Sequence, residues 1–276
     1  MHSEAPHFDY PKAVFNAASA AMLVTLMLAV WGAASGRLAP VPRDAQPFLF
    51  IWLVLAVVAS LSLRRLGIQV AFLTSLLCML VAWRIAGLHG AGLVAYPLIL
   101  AFGLYLIVFF AIAIRNRRLA EGAGRLSLGV WQLTFIRCYI GFDLVPHFTE
   151  KLFAGPGPLG EDVVAFTKLG VPIPEFFVIL AGFCELGVAI GIGLGVLTRL
   201  AACGSALYFL IATILGHHFF LGFIWASPGG GWEYPVLMIA LLLSFTVAGG
   251  GPFSIDAAVA GKLELPGWCL WLMGRR

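Results

Sequence analysis

Residues 92–125 read GLVAYPLILAFGLYLIVFFAIAI followed by RNRRLAEGAGR. The first part carries no charge and, at ~1.5 Å per residue, is long enough to cross a ~30 Å hydrocarbon core. The second part places Arg115, Arg117, Arg118 and Arg125 together, the pattern of a short cytoplasmic loop. Working outward, apolar runs recur at about 13–34, 47–63, 67–86, 129–148, 175–197, 200–219 and 234–248. The fold expected is all-α: a polytopic membrane protein of about eight transmembrane helices. The arginine cluster divides the spans into two groups of four, one in residues 1–120 and one in 121–276. Both groups start on the same side, so any repeat is parallel rather than inverted.

Composition agrees. Hydrophobic residues make up 61% and charged residues 11%, against roughly 25% charged in a soluble domain. The net charge of +4 does not point to nucleic acid, because the basic residues sit between spans, where topology explains them. With the N-terminus inside, eleven lysines and arginines fall on the inner side: Lys12, Arg64, Arg65, the four of the cluster, Arg199, Lys262, Arg275 and Arg276. Five fall outside: Arg37, Arg43, Arg84, Lys151 and Lys168. Both termini are therefore expected in the cytoplasm of a bacterial-type inner membrane. The first apolar run is too long for a signal-peptide core, and many spans follow it. The five cysteines form no CxxC pair, which argues against a disulfide framework or a thiolate metal site. No metal is expected.

Ionisable groups within a membrane normally face the bundle interior, and almost all of them lie in the second half. Span five carries Arg137, Asp143 and His147; span six Glu185; span seven ends at His217 and His218; span eight opens with Glu233 and Tyr234. The first half offers little beyond Thr25, Ser60, Thr74 and Ser75. Arg137 lies roughly 12 Å from the inner end and Glu185 roughly 15 Å from the outer end, so the two are expected to pair near the midplane. The pair reads equally as a packing lock or as part of a site. Asp143 and His147 are four apart on one helix face, which Lys151 continues if the helix persists past Pro146. Asp143, His147, His217 and one of His218 or Glu233 are expected to converge at the outer side, with His217 facing inward. A carboxylate beside histidine can move protons near neutral pH or hydrogen-bond a quinone. The bland alternative is interfacial histidines facing headgroups. Gly187, Gly191 and Gly195 have the spacing of close helix packing. Between spans five and six, Val163, Val164, Phe166 and Leu169 suit a short surface helix, and Pro174 with Glu175 suits the first turn of the next.

The ordered motifs of the second half carry a resemblance. They are Arg137, Gly141 and Lys151-Leu152; Gly170, Pro172 and Pro174; Glu185-Leu186-Gly187; Gly195, Thr198 and Arg199; and Gly249, Gly251, Ser254 and Asp256. Residues from about 129 to 258 resemble the DoxX family of small membrane proteins, which includes the small subunit of thiosulfate:quinone oxidoreductase. The resemblance implies a four-helix membrane bundle, and a quinone as cofactor in a redox system with a partner subunit. His147, His217 and His218 belong to none of these motifs. Two functions follow: a quinone-linked redox subunit with catalytic Asp143, His147 and His217 and quinone contacts from Arg137, Glu185, His218, Glu233 and Tyr234; or a non-enzymatic transporter, assembly factor or scaffold.

Overall fold

The computed structural model describes residues 7–116, 128–260 and 262–274. Much of the arginine cluster, from 117 onward, and Arg275 and Arg276 lie outside the described residues. The first group of helices is α1 (Lys12–Ala34), α2 (Gln46–Ser62, prolonged by a 3-10 turn to Leu66), α3 (Ile68–Leu88) and α4 (Gly92–Asn116). The second is α5 (Leu128–Asp143), α6 (Val145–Leu152), α7 (Pro156–Lys168), α8 (Pro174–Val188, continued by a π-helical segment Ala189–Gly195), α9 (Thr198–Leu215) and α10 (Glu233–Ala248). Short helices α11 (Ile255–Ala260) and α12 (Gly267–Leu272) follow. The protein is a polytopic all-α membrane protein, with no strand among the described residues.

Among the described residues, six helices are long and apolar enough to cross a membrane: α1, α2 with its 3-10 turn, α3, α4, α8 with its π segment, and α9. The expected fifth and eighth spans, α5 and α10, are 16 residues each. That is about 24 Å, less than the ~30 Å core. The fifth stops early because the helix breaks at Leu144. Pro146, which has no N–H to donate, falls in the first turn of the separate helix α6. Asp143 and His147 therefore sit on two helices rather than on one face of one. Pro174 opens α8 with Glu175 in its first turn, and α7 forms over the stretch expected to be a surface helix.

Helix α3 lies at the centre. Fifteen of its 21 residues are buried, so an apolar sequence on all sides has protein on all sides. It packs against α2 and α4, and also against α6, the π segment and α11 of the second group. One apolar core consequently runs from Phe15 and Met22 through Phe72 to Val145, Phe148, Leu194 and Phe253. A smaller core of Ile140, Val188, Ile192, Ala206, Leu242 and Phe245 joins α5, α8, α9 and α10. Phe253, fully buried, sits edge-on or tilted against Phe8, Phe72 and Trp131 at centroid distances of 5.3, 5.6 and 5.8 Å. The segment after α10 is thus held by both groups.

The basic residues gather at one end of the bundle. Arg64 donates to Asn16 Oδ1 and Ser19 Oγ, and Lys262 donates to the carbonyls of Arg65 and Leu66. Arg199 donates to the carbonyls of Val247 and Trp271.

At the π segment the backbones of α5 and α8 almost touch. A Cβ on Gly141 would lie 2.1 Å from the Gly193 nitrogen, so only glycine allows this approach. Gly191 meets Ala201 in the same way, whereas Gly187 faces open space, so close packing falls on the last turn rather than along the whole expected glycine stripe. Gly141→Ala should destabilise the protein by about 1–3 kcal/mol through overpacking. The melting temperature in detergent should drop, while Gly187→Ala leaves it unchanged.

Candidate functional site

Arg137 is 1% exposed and does not pair with Glu185. Its Nη1 donates to the carbonyls of Ile192 and Gly193 (2.8 Å to the latter), and its Nη2 to that of Phe253 at 2.8 Å. The physical reason is register. Helix α5 meets α8 chiefly at its π segment, with Gly141 against Gly193, while the part of α8 that carries Glu185 packs against α6. Arg137 therefore stands level with the end of the π segment, and Glu185 lies beside Lys151. Beside Arg137, Asp256 takes hydrogen bonds from Leu197 N (2.8 Å), Thr198 N (2.9 Å) and Thr198 Oγ1 (2.8 Å). This carboxylate, 58 residues downstream of Thr198, caps α9, whose own flanking residue Leu197 has none to offer. Burial raises the Asp256 pKa, against the lowering effect of those three bonds and of Arg137. Gly195, at φ +73°, leaves room here: a Cβ would fall 2.6 Å from that of Ser254 and 3.0 Å from Arg137 Nη1.

Glu185 finds a different partner. Lys151 Nζ lies 3.2 Å from Glu185 Oε2 and 3.7 Å from Asp162 Oδ2 of α7, and the Tyr208 hydroxyl donates to Glu185 Oε1 at 2.7 Å. The Lys151 and Glu185 side chains are each 8% exposed. Lys151 also donates to the His147 carbonyl at 3.2 Å. Burial raises the Asp162 pKa; Lys151 and His147 act to lower it and Glu150 to raise it.

The third arrangement is a cleft of about 310 Å³ between α3, α4, α5 and the start of α6. Eight of its sixteen lining residues are aromatic, among them Phe72, Trp83, Tyr105, Phe109 and Phe142. Phe102, Leu106, Phe135 and Tyr139 on its rim are exposed, so it opens sideways toward lipid. Arg84 and Asp143 supply its charged groups. Arg84 pairs with Glu150, and both also line a second, more polar pocket with His89 and Glu161. Asp143 Oδ2 accepts the hydroxyl proton of Tyr234. Tyr234 rests on Trp225, and Trp225 on His218, each with centroids 5.3 Å apart. Glu233 Oε2 accepts from the Trp225 nitrogen at 3.2 Å, and His218 Nδ1 donates to the Gly230 carbonyl at 3.0 Å.

Of the residues expected to converge, Asp143, Glu233 and His218 thus form one connected chain, joined through Tyr234 and Trp225. His147 and His217 do not join it, and both are exposed. The break at Leu144 starts a new helix that presents His147 outward. His217 adopts a left-handed conformation (φ 57°) just past Gly216, so it turns out and His218 turns in, the reverse of the expected choice. The sequence reading also missed Arg84, Tyr105 and Glu150. Tyr105 shares its hydroxyl with Ser75 inside the first group, where little chemistry was expected. An arginine at the end of an apolar run was the available signal.

These features define a multi-pass membrane protein with an aromatic cleft open to the bilayer. Residues 132–218 match the family model described as DoxX. No match is found among curated proteins or solved structures. The matched residues contain Arg137, Gly141, Lys151, Glu185, Gly195 and Thr198, while Asp256 lies beyond them.

Breaking the Lys151–Glu185 pair should test its weight. Lys151→Met leaves buried carboxylate uncompensated, a loss of roughly 3–5 kcal/mol. The double variant Lys151→Met/Glu185→Leu should recover much of it. Thermal unfolding in detergent reads both; equal melting temperatures for single variant and parent would remove the pair from the list of stabilising contacts.

Proposed function

We propose that this protein is the integral membrane subunit of a quinone-linked redox system, with the quinone bound in the cleft between α3, α4 and α5. The observation that supports this reading is the form of the cleft. Ligand sites are mostly apolar cavities of ~300–1,000 Å³ with a few placed polar groups, and this one has an aromatic body, a lateral opening and polar groups at one end. A molecule with an isoprenoid tail enters from lipid and brings its ring to Arg84 and Asp143. Asp143, hydrogen-bonded to Tyr234, is the group there that would take up a proton, and the stacked rings of Trp225 and His218 brace the pair against the 216–232 loop. Sulfur-compound oxidation is the reaction suggested by the resemblance to DoxX proteins, with a partner subunit delivering the electrons.

A short-chain ubiquinone should bind the protein in nanodiscs saturably. Leu106→Trp, which adds bulk on the cleft wall, should weaken binding about tenfold or more, ~1.4 kcal/mol or greater. Unsaturable binding, or identical binding by the variant, overturns the assignment. A second reading, a scaffold without catalysis, is favoured by the structural use of Arg137, Thr198 and Asp256. Co-purification of a stoichiometric redox partner separates the two.

The same proposal places both termini in the cytoplasm, because the basic residues cluster at the end that carries Lys12 and Lys262. A cysteine introduced at Gly160 should be labelled by an impermeant maleimide from outside the cell, and one at Leu263 should not. The reverse pattern inverts the orientation.

A further inference from the structure

We propose that the cleft selects the hydroquinone over the quinone, and that Asp143 is the group that sets this specificity. The inference rests on the quinone reading above and names the redox form that the site prefers. It follows from counting donors and acceptors at the polar end. A quinone carbonyl can only accept a hydrogen bond, whereas a hydroquinone hydroxyl can donate and accept.

Asp143 presents an acceptor. Its Oδ2 holds the Tyr234 hydroxyl proton, and its Oδ1 takes no hydrogen bond from any other described residue. Tyr234 keeps that proton on Asp143, because a bond to a carboxylate is stronger than one to a neutral oxygen, and Trp225 holds its ring in place for it. Other polar groups of the lining are also engaged. Tyr105 shares its proton with Ser75, and the Cys138 thiol points at the Gly193 carbonyl at 3.8 Å. The remaining donors are the Trp83 indole N–H and the Tyr139 hydroxyl at the lipid-facing edge, whereas Arg84 Nε, also without a partner among the described residues, is closed off from the cleft.

A hydroquinone satisfies this set: one hydroxyl donates to Asp143 Oδ1 while its lone pairs accept from Trp83 or Tyr139. A quinone carbonyl can accept from the same donors, but it meets Asp143 acceptor to acceptor and leaves Oδ1 unpaired. A site built to bond a hydroxyl rejects the analogue that lacks it, because its own polar group is then left unpaired.

Binding of a short-chain ubiquinol and of the matching ubiquinone to the full protein in nanodiscs, measured anaerobically by calorimetry, tests this. The parent should bind the quinol about tenfold tighter or more. Asp143→Asn replaces an acceptor oxygen by a donor at nearly constant shape, and should abolish or reverse the ratio. Tyr139→Phe should keep it. A parent that binds the quinone as tightly as the quinol, or an Asp143→Asn protein with an unchanged ratio, overturns the selectivity but leaves the quinone site standing. Failure of both forms to bind the parent overturns both. Tetraphenylphosphonium bound more tightly than the quinol also overturns it, because the carboxylate then serves a lipophilic cation.

Discussion

A guanidinium inside an apolar bundle must find acceptors or be left at great cost, and the arrangement of the second half follows from how Arg137 does so. An α-helix keeps its carbonyls for its own ladder. The last turn of α8 frees some by widening into a π segment, and its orphaned carbonyls at Ile192 and Gly193 face Arg137. The third acceptor, the Phe253 carbonyl, belongs to a residue whose ring is wedged among Phe8, Phe72 and Trp131. One charge therefore fixes the α5–α8 contact, the chain after α10, and through it the junction with the first group. Asp256 follows three residues later, where it reaches the open N-terminus of α9. Gly195 leaves the space this charge occupies, and Gly141 and Gly193 let the two helices approach.

Placing Arg137 toward the basic end frees the opposite half of the bundle for other polar groups. Glu185 lies where α8 packs against α6 and meets Lys151, whose long stem also brings its ammonium toward Asp162 of the surface helix α7. The cleft beside them owes its shape to two irregularities: the break at Leu144, which brings Asp143 to the end of a helix, and the packing of α3 against α6.

The class of fold was legible in the sequence because a span of apolar residues is an unambiguous physical signal. Helix limits followed the apolar runs closely for α1, α3 and α4. Pairing was less legible. Residue counts place a side chain only relative to the ends of its own helix; the register between two helices is set by packing, and the expected Arg137–Glu185 pair failed because α5 meets α8 chiefly at the π segment. Residues 132–218 carry the DoxX match, yet nothing in the spacing of Arg137, Gly195 and Thr198 within it, or of Asp256 beyond it, told that the four meet in one knot. The cleft was invisible for a different reason. It is made by α3 and α4 of one group against α5 of the other, and no local pattern reports the contact between groups.

The two short helices have a mechanical consequence. Helices α1, α3 and α4 run 21 to 25 residues, about 32–38 Å, while α5 and α10 run about 24 Å. Where lipid meets so short a helix, a thicker bilayer must thin to match it, at fractions of a kcal/mol per Å of mismatch. Asp143 and Tyr234 stand at ends of these two helices, so thinner membranes should hold the polar end of the cleft with less distortion than thick, sterol-like ones.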